Sequence, residues 1–257
     1  MTSYRFVLCS GSSQPFSFCF KGFLGVLALV IALSAGGAAA QTQDPQDPWE
    51  DFNRAMFAFN DTADRYVIKP VAKGYVKVTP SPLRQGVSNV FYNLLEVRNV
   101  FNDLLQAKFG QAGKDTGRFL INSTLGVAGI FDVAAHMGLN RAEGEDFGQT
   151  LAAWGVSDGP YIVLPVFGPR TLRDAAATPV DWFTDPKTYI GHTRTSYEIK
   201  VAELVDTRAR LLSLEQDIGA DKYTLFRDIY LQRREYLIND GEVEDEFGSG
   251  LDDFDDF

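Results

Sequence analysis

One strand has to be fitted into a chain whose other periodicities are helical. The stretch Asp146–Asp174, DFGQTLAAWGVSDGPYIVLPVFGPRTLRD, opens as an apolar helix-like run and turns at Gly155-Val156-Ser157-Asp158-Gly159-Pro160. It leaves through Tyr161-Ile162-Val163-Leu164-Pro165-Val166-Phe167, and Gly168-Pro169 closes it before a further helix. β-Branched and aromatic residues bounded by turn residues predict a strand. Pro165 confines that strand to an edge or a bulge, because proline has no N–H for a ladder. The expectation is a glycine-hinged hairpin that turns at residues 155–160.

Around it the pattern is helical. Asp47-Pro48-Trp49-Glu50 reads as a capping box with proline at the first helical position. Trp49, Phe52, Met56, Phe59, Ala63 and Tyr66 then fall at steps of three and four, with Phe57 off that stripe. Ser81-Pro82 starts a longer helix with a stripe of Leu83, Val87, Val90, Phe91, Leu94, Leu95, Phe101, Leu104 and Leu105, broken at Gly110 and Gly113. Asp115–Thr124 predicts another helix that buries Phe119, Leu120 and Ile121, followed by the glycine-interrupted run Leu125–Val133. Thr171 and Asp221 cap two later helices, and Asn239-Asp240-Gly241 stops the last. Roughly seven helical segments and one hairpin make the class mainly α.

The first forty residues read as a secretory signal peptide, 1–40. Arg5 and Lys21 precede an apolar run from Gly22 to Leu33, and Ala38-Ala39-Ala40 supplies a small-residue cleavage site before Gln41. That run is shorter than the ~20 residues a spanning helix needs. Cys9 and Cys19 both fall inside the signal, so the expected mature chain is held by packing without disulfides. Neither cysteine follows the apolar run, so no lipid-modified first residue is expected. Residues 41–46 are a polar lead-in, 47–239 the helical domain, and 240–257 an acidic tail read as disordered. The tail carries much of the acidity of a chain with 24 basic and 34 acidic residues, and no basic patch favours nucleic acid.

Motifs for chemistry are sparse. Gly155-Val156-Ser157-Asp158-Gly159 matches the G-x-S-x-G pattern of a nucleophile elbow, and Asp181, Asp185 and His192 follow in hydrolase order. An elbow, however, sits after a strand and before a helix, and here that order is reversed. A periplasmic serine hydrolase using Ser157 is therefore the alternative reading. Outside the signal there are two histidines, His136 and His192, with no HExxH, CxxC or GxGxxG, so no metal or cofactor is expected. Glu143 and Glu145 read as solvated loop acids. Aromatic content, at 13 % with 20 Phe, is high for a chain with no cofactor motif and suits a bilayer interface.

The run Asp47-Pro48-Trp49-Glu50-Asp51-Phe52-Asn53-Arg54-Ala55-Met56-Phe57-Ala58-Phe59-Asn60 resembles the opening signature of the MlaA/VacJ family. The resemblance continues through Arg118–Gly126 and Phe131–Ala134 and is densest over Asp146–Asp174. It implies a ring-shaped bundle of amphipathic helices in the inner leaflet of the outer membrane, with a central amphipathic channel. By the same resemblance, Trp49, Phe52, Met56, Phe57 and Phe59 would seat the first helix in the membrane, and the 154–161 hairpin would gate the channel. The implied partners are phospholipid, a trimeric outer-membrane porin and a periplasmic lipid-carrier protein, with no catalysis. The implied role is removal of misplaced phospholipid from the outer leaflet; a porin-binding scaffold that conducts no lipid is a further alternative. Ser157 stands where the family often has a second glycine, and the family's lipid-modified cysteine has no counterpart after the apolar run.

Overall fold

The computed structural model describes residues 44–191, 193–213 and 221–242. The expected signal peptide, both cysteines, His192 and the tail beyond Glu242 lie outside the described residues. Described elements run α1 (Glu50–Ala63), a π-helical turn (Asp64–Ile68), α2 (Lys69–Val78), α3 (Ser81–Leu105), α4 (Phe109–Thr124) and the short α5 (Val133–His136). Then come α6 (Phe147–Ala153), β1 (Tyr161–Leu164), β2 (Gly168–Thr171), α7 (Leu172–Thr184), α8 (Thr193–Leu211) and α9 (Lys222–Ile238). The fold is mainly helical with a small antiparallel hairpin, as its periodicities indicate.

Helix starts follow local chemistry in most cases. Thr171 accepts from the Asp174 amide at the start of α7, and Asp221 from the Tyr223 amide at the start of α9. Asp146 caps α6 in the same way through the Gln149 amide. Each cap satisfies one N–H that the first helical turn leaves without a partner. Two expectations differ. Asp47 caps nothing: it is fully buried, takes hydrogen bonds from Asn53 (2.7 Å) and the Tyr223 hydroxyl, and faces Arg227. Gly110 and Gly113 lie inside α4; the break falls earlier, where Ala107 adopts a φ of 60°.

The hairpin is also placed differently from its expectation. Tyr161 pairs with Thr171 and Leu164 with Gly168, so the chain reverses at 165–167, with Val166 at φ 70°. Residues 154–160 form the loop that carries the chain from α6 into β1. The outer edge of β1 is covered by side chains instead of a third strand. Asn53 donates to the Tyr161 carbonyl (3.0 Å) and accepts from the Val163 amide (2.8 Å). One heptad on, Asn60 does the same for the Leu164 carbonyl (2.9 Å) and the Val166 amide (2.8 Å). The Tyr161 amide completes the row on Gln46 (2.9 Å). An asparagine amide offers one acceptor and two donors, so two of them on one helix face reproduce a neighbouring strand.

This docking inverts α1. Phe57, off the expected stripe, packs inward against Tyr223 and Phe226 at ring separations of 5.8 and 5.7 Å. Met56 joins it on the core of Tyr161, Val163 and Tyr223. Trp49, Phe59 and Tyr66, placed on the core stripe by spacing alone, face outward, Tyr66 at 73 % exposure. In α3 the inversion is partial: Ser88, Asn89, Asn93, Glu96, Asn99 and Asn102 are buried beside Phe91, while Leu83, Phe101 and Leu104 are exposed. Leu120 in α4, expected inside, is 54 % exposed.

Candidate functional site

The polar faces of α3 and α4 meet in a charged layer. Arg118, only 1 % exposed, donates to Glu96 (2.9 Å), to the Leu139 carbonyl and to both oxygens of Asp132 (3.2 and 3.1 Å). Asn122 ties Asp132 (2.9 Å) to the Ala134 amide (2.9 Å). Burial alone would lift the Asp132 carboxyl, but Asn122 and Arg118 hold it below the usual range. Further along the same helices Asp103 and Asp115 are both buried. Burial, then the charges of Asp115 and Glu145, push Asp103 up to about 7. Burial and then Glu96 push Asp115 up to about 6.

Beside that pair, Glu145 accepts from Lys108 (3.1 Å) and Gln106 (2.9 Å), and its amide donates to Asn99. It is buried, where a solvated loop acid is expected; its partners are Asn99 of α3 and Gln106 and Lys108 just beyond that helix. A second ion network joins α6, α7 and α9. Arg234 forks onto Asp146 (2.6 and 2.7 Å) and Asp174 (2.6 and 2.9 Å), which also accepts from Tyr230. Burial would raise the Asp146 carboxyl; Arg234's bonds and charge overcome it and hold it down to about 2. A side chain on Gly148 would lie 2.4 Å from Asp174 and 2.5 Å from Arg234, so only glycine leaves this network room.

The loop 154–160 lies on the rim of these networks. Trp154 donates from its indole to the Leu105 carbonyl (3.1 Å) and stacks edge-on against Phe147. Gly155 holds φ 86° with nothing near an added Cβ, and Gly159 holds φ 67° with Leu172 3.2 Å from such an atom. Val156, Ser157 and Asp158 are exposed. Arg173, with its side chain 2 % exposed, reaches out to the Asp158 carboxylate and the Val156 carbonyl, and its amide donates to the Asp158 carbonyl (3.0 Å). Tyr161, at the loop's far end, is buried in the core with Val163 and Tyr223. Ser157 stands after a helix and before a strand, the reverse of an elbow.

Sequence reasoning missed Arg118, Arg173 and Arg234, the cations that organise these networks. Arg173 stands at the start of α7, Arg118 within α4 and Arg234 near the end of α9, so no common spacing marks them. Among the described residues no group of three or more His, Cys, Asp or Glu is placed to hold a metal ion.

The distribution is the reverse of that in a protein surrounded by water. Buried polar and charged residues outnumber buried apolar ones by more than two to one, while Phe, Trp, Leu and Val side chains crowd the exterior. Among the described residues no helix is long and apolar enough to cross a membrane. The class is therefore a helical protein with an apolar coat, charged networks inside, and no spanning segment among those residues.

Residues 45–237 match the family described as MlaA lipoprotein. The chain is 36 % identical over 228 residues to the intermembrane phospholipid transport system lipoprotein MlaA of Escherichia coli K12, covering 86 % of this chain and 90 % of that protein. It is 31 % identical to the protein so named from Haemophilus influenzae, covering 84 % and 90 %. A solved structure described as "Structural basis for maintenance of bacterial outer membrane lipid asymmetry" superposes with a TM-score of 0.67 at 35 % identity, covering 75 % of this chain and 98 % of that one. The chain belongs to the MlaA lipoprotein family.

Proposed function

We propose that this protein moves phospholipid between membranes and thereby maintains the lipid asymmetry of the outer membrane. It is a transport protein and not an enzyme. The observation that carries the reading is the inverted distribution of side chains: Phe59, Tyr66, Phe101, Leu104 and Trp182 outside, Arg118, Glu96, Asn102 and Asp103 inside. A phospholipid has the same two needs as this fold. Its tails are favoured by about 0.8 kcal/mol for every methylene kept from water, and its head group needs polar atoms because an unpaired charge in an apolar medium is costly. Apolar outer faces keep the protein among acyl chains, and polar inner faces give a head group somewhere to pass.

In the finer reading, misplaced phospholipid leaves the outer leaflet along an amphipathic channel bordered by the 154–161 segment and reaches a periplasmic carrier. Residues 1–40 serve as the export signal, Trp49 and Phe59 seat α1 in the inner leaflet of the outer membrane, and a trimeric porin is the companion there. Fractionation followed by lipid mass spectrometry tests this. The expected result is outer-membrane residence, co-purified phospholipid, and surplus surface phospholipid in a deletion strain. Membrane residence with normal asymmetry in the deletion strain would indicate a scaffold. Free fractionation, with an activity lost in Ser157→Ala, would indicate the hydrolase.

A further inference from the structure

A cleft of about 340 Å³ opens between α3 and the segment that follows α4, at the lower end of the range that ligand sites occupy. Gln85 and Asn89 of α3 form one wall, Phe131, Val133 and His136 the other, and Arg141 closes it. The donors here are incompletely used. Arg141 sits over Tyr92, with its guanidinium carbon 3.9 Å from the ring centre, and Arg210 approaches the same ring at 4.8 Å. Arg141 carries five N–H donors and directs one long hydrogen bond, 3.3 Å, at Asp132.

Asp132 also lines the cleft, but its charge is committed elsewhere. It already accepts from Arg118 twice, from Asn122 and from the Ala135 amide. Burial pulls the Arg141 guanidinium below its ordinary range, with Asp132 opposing and Arg118 adding to the fall. It is a cation held over an aromatic ring, and it shares its ion-pair partner Asp132 (3.3 Å) with Arg118. Arg84, the neighbour of Gln85 on α3, keeps a buried Nε with no hydrogen-bond partner. His136 is bonded through Nδ1 to the Asp132 carbonyl (2.9 Å); a carbonyl only accepts, so Nδ1 carries the proton and Nε2 is left over. Gln85 spends one amide hydrogen on Asn89, and Asn89 one on the Ile130 carbonyl, leaving a second hydrogen on each.

We propose that this cleft is a head-group station, in which Arg141, aided by Gln85 and Asn89, binds the phosphodiester of a glycerophospholipid while Phe131 and Val133 receive the start of its acyl chains. The inference rests on the phospholipid-transport reading and gives it a residue-level stopping point. A planar guanidinium suits a phosphate because its N–H groups match two oxygens at once, and stacking on Tyr92 holds the fork in place before the ligand arrives. The mixed lining explains why one end of the cleft is apolar: a free phosphate ion has no use for Phe131.

The test is titration of the full chain in detergent with three probes: a water-soluble short-chain phosphatidylethanolamine, the matching diacylglycerol without phosphate, and inorganic phosphate. The wild type should bind the phospholipid, bind the diacylglycerol at least tenfold more weakly, and bind inorganic phosphate more weakly than the phospholipid. Arg141→Gln should weaken phospholipid binding about tenfold and leave diacylglycerol binding unchanged, with Arg141→Lys in between because it keeps the charge and loses the fork. Gln85→Leu, which alters no ion pair, should weaken it by a smaller factor and guards against misfolding of the arginine variants. Equal phospholipid binding by wild type and Arg141→Gln overturns the station and leaves the transport reading standing. Equal binding of phospholipid and diacylglycerol overturns it too, since the phosphate is then not read. Inorganic phosphate bound as tightly as the lipid makes this an ion site and overturns the lipid as its source. A wild type that binds no phospholipid in any form sinks both readings together.

Discussion

Asn53 shows how much a single side chain decides. Its amide satisfies the Tyr161 carbonyl, the Val163 amide and the Asp47 carboxylate in one buried place. Asn53→Ala strands the Tyr161 carbonyl and the Val163 amide and leaves Asp47 to Tyr223 and Arg227, and each unsatisfied buried group costs about 1–3 kcal/mol. A loss of roughly 3 kcal/mol or more is expected, read as a lower denaturant midpoint in detergent. Asp103 and Asp115 make a pH-dependent contribution whose sign is fixed by their direction. An ordinary carboxyl titrates near 4, whereas burial and neighbouring acids push these up to about 7 and about 6. Raised acids stabilise the fold below the ordinary value and lose that contribution as pH rises through the folded values. The melting temperature should therefore fall as pH climbs from about 4 to about 8, and Asp103→Asn should flatten that fall. A wild-type melting temperature that holds constant across this window would remove the carboxylate pair from the account.

At the scale of elements, the loop 154–160 is held at both ends and strained in between. Trp154 and Tyr161 anchor it, Arg173 clips its middle from beneath, and the two glycines take backbone angles that other residues resist. Gly155→Val meets no steric neighbour, so its cost is the left-handed backbone alone, about 1–2 kcal/mol. That is enough to shift the loop's preferred shape without unfolding the body, and outer-leaflet phospholipid should rise in cells that carry it. Arg173→Met removes the clip while keeping bulk; faster amide hydrogen exchange confined to 155–159 is the expected signature. Uniform exchange across wild type and variant would show that the clip holds nothing. Much of this element was legible beforehand. The turn residues around Gly155 and Gly159 and the strand at Tyr161 follow from backbone preference, and so do the caps at Thr171 and Asp221. Arg173 was not legible, since its partner lies across a loop whose path is set by tertiary contacts. The second strand was missed because Gly168-Pro169 reads as a terminator, whereas a proline on an outer edge is compatible with a two-stranded ribbon.

At the scale of the whole molecule, periodicity located the helices correctly and assigned several of their faces backwards. Helical spacing reports that one side is apolar and says nothing about which side meets the protein. The habit of turning apolar stripes inward holds for chains in water, and it failed here at Phe59, Tyr66, Leu83 and Leu104 for one shared reason. On the proposed membrane reading, side chains that gain from hydrocarbon are turned toward it, and the polar stripe becomes the interior. This yields a test at the same scale. Phe59→Ser with Tyr66→Ser removes two outward aromatics that bury little in the fold, each worth about 1.5–3 kcal/mol when moved out of water. Affinity for phospholipid vesicles should drop at least tenfold with secondary structure intact; undiminished affinity would mean this face touches no lipid.

The row of asparagine amides along β1 has a bearing on the journey as well as the destination. A chain with so greasy an exterior, waiting for a bilayer, is prone to zipper with its own copies, and the bare margin of a small ribbon is where such templating begins. Asn53 and Asn60 occupy that margin on one side. On the other strand Pro169 contributes no N–H at all. Two amides and an imino acid thus leave each margin of the ribbon a poor template for another strand.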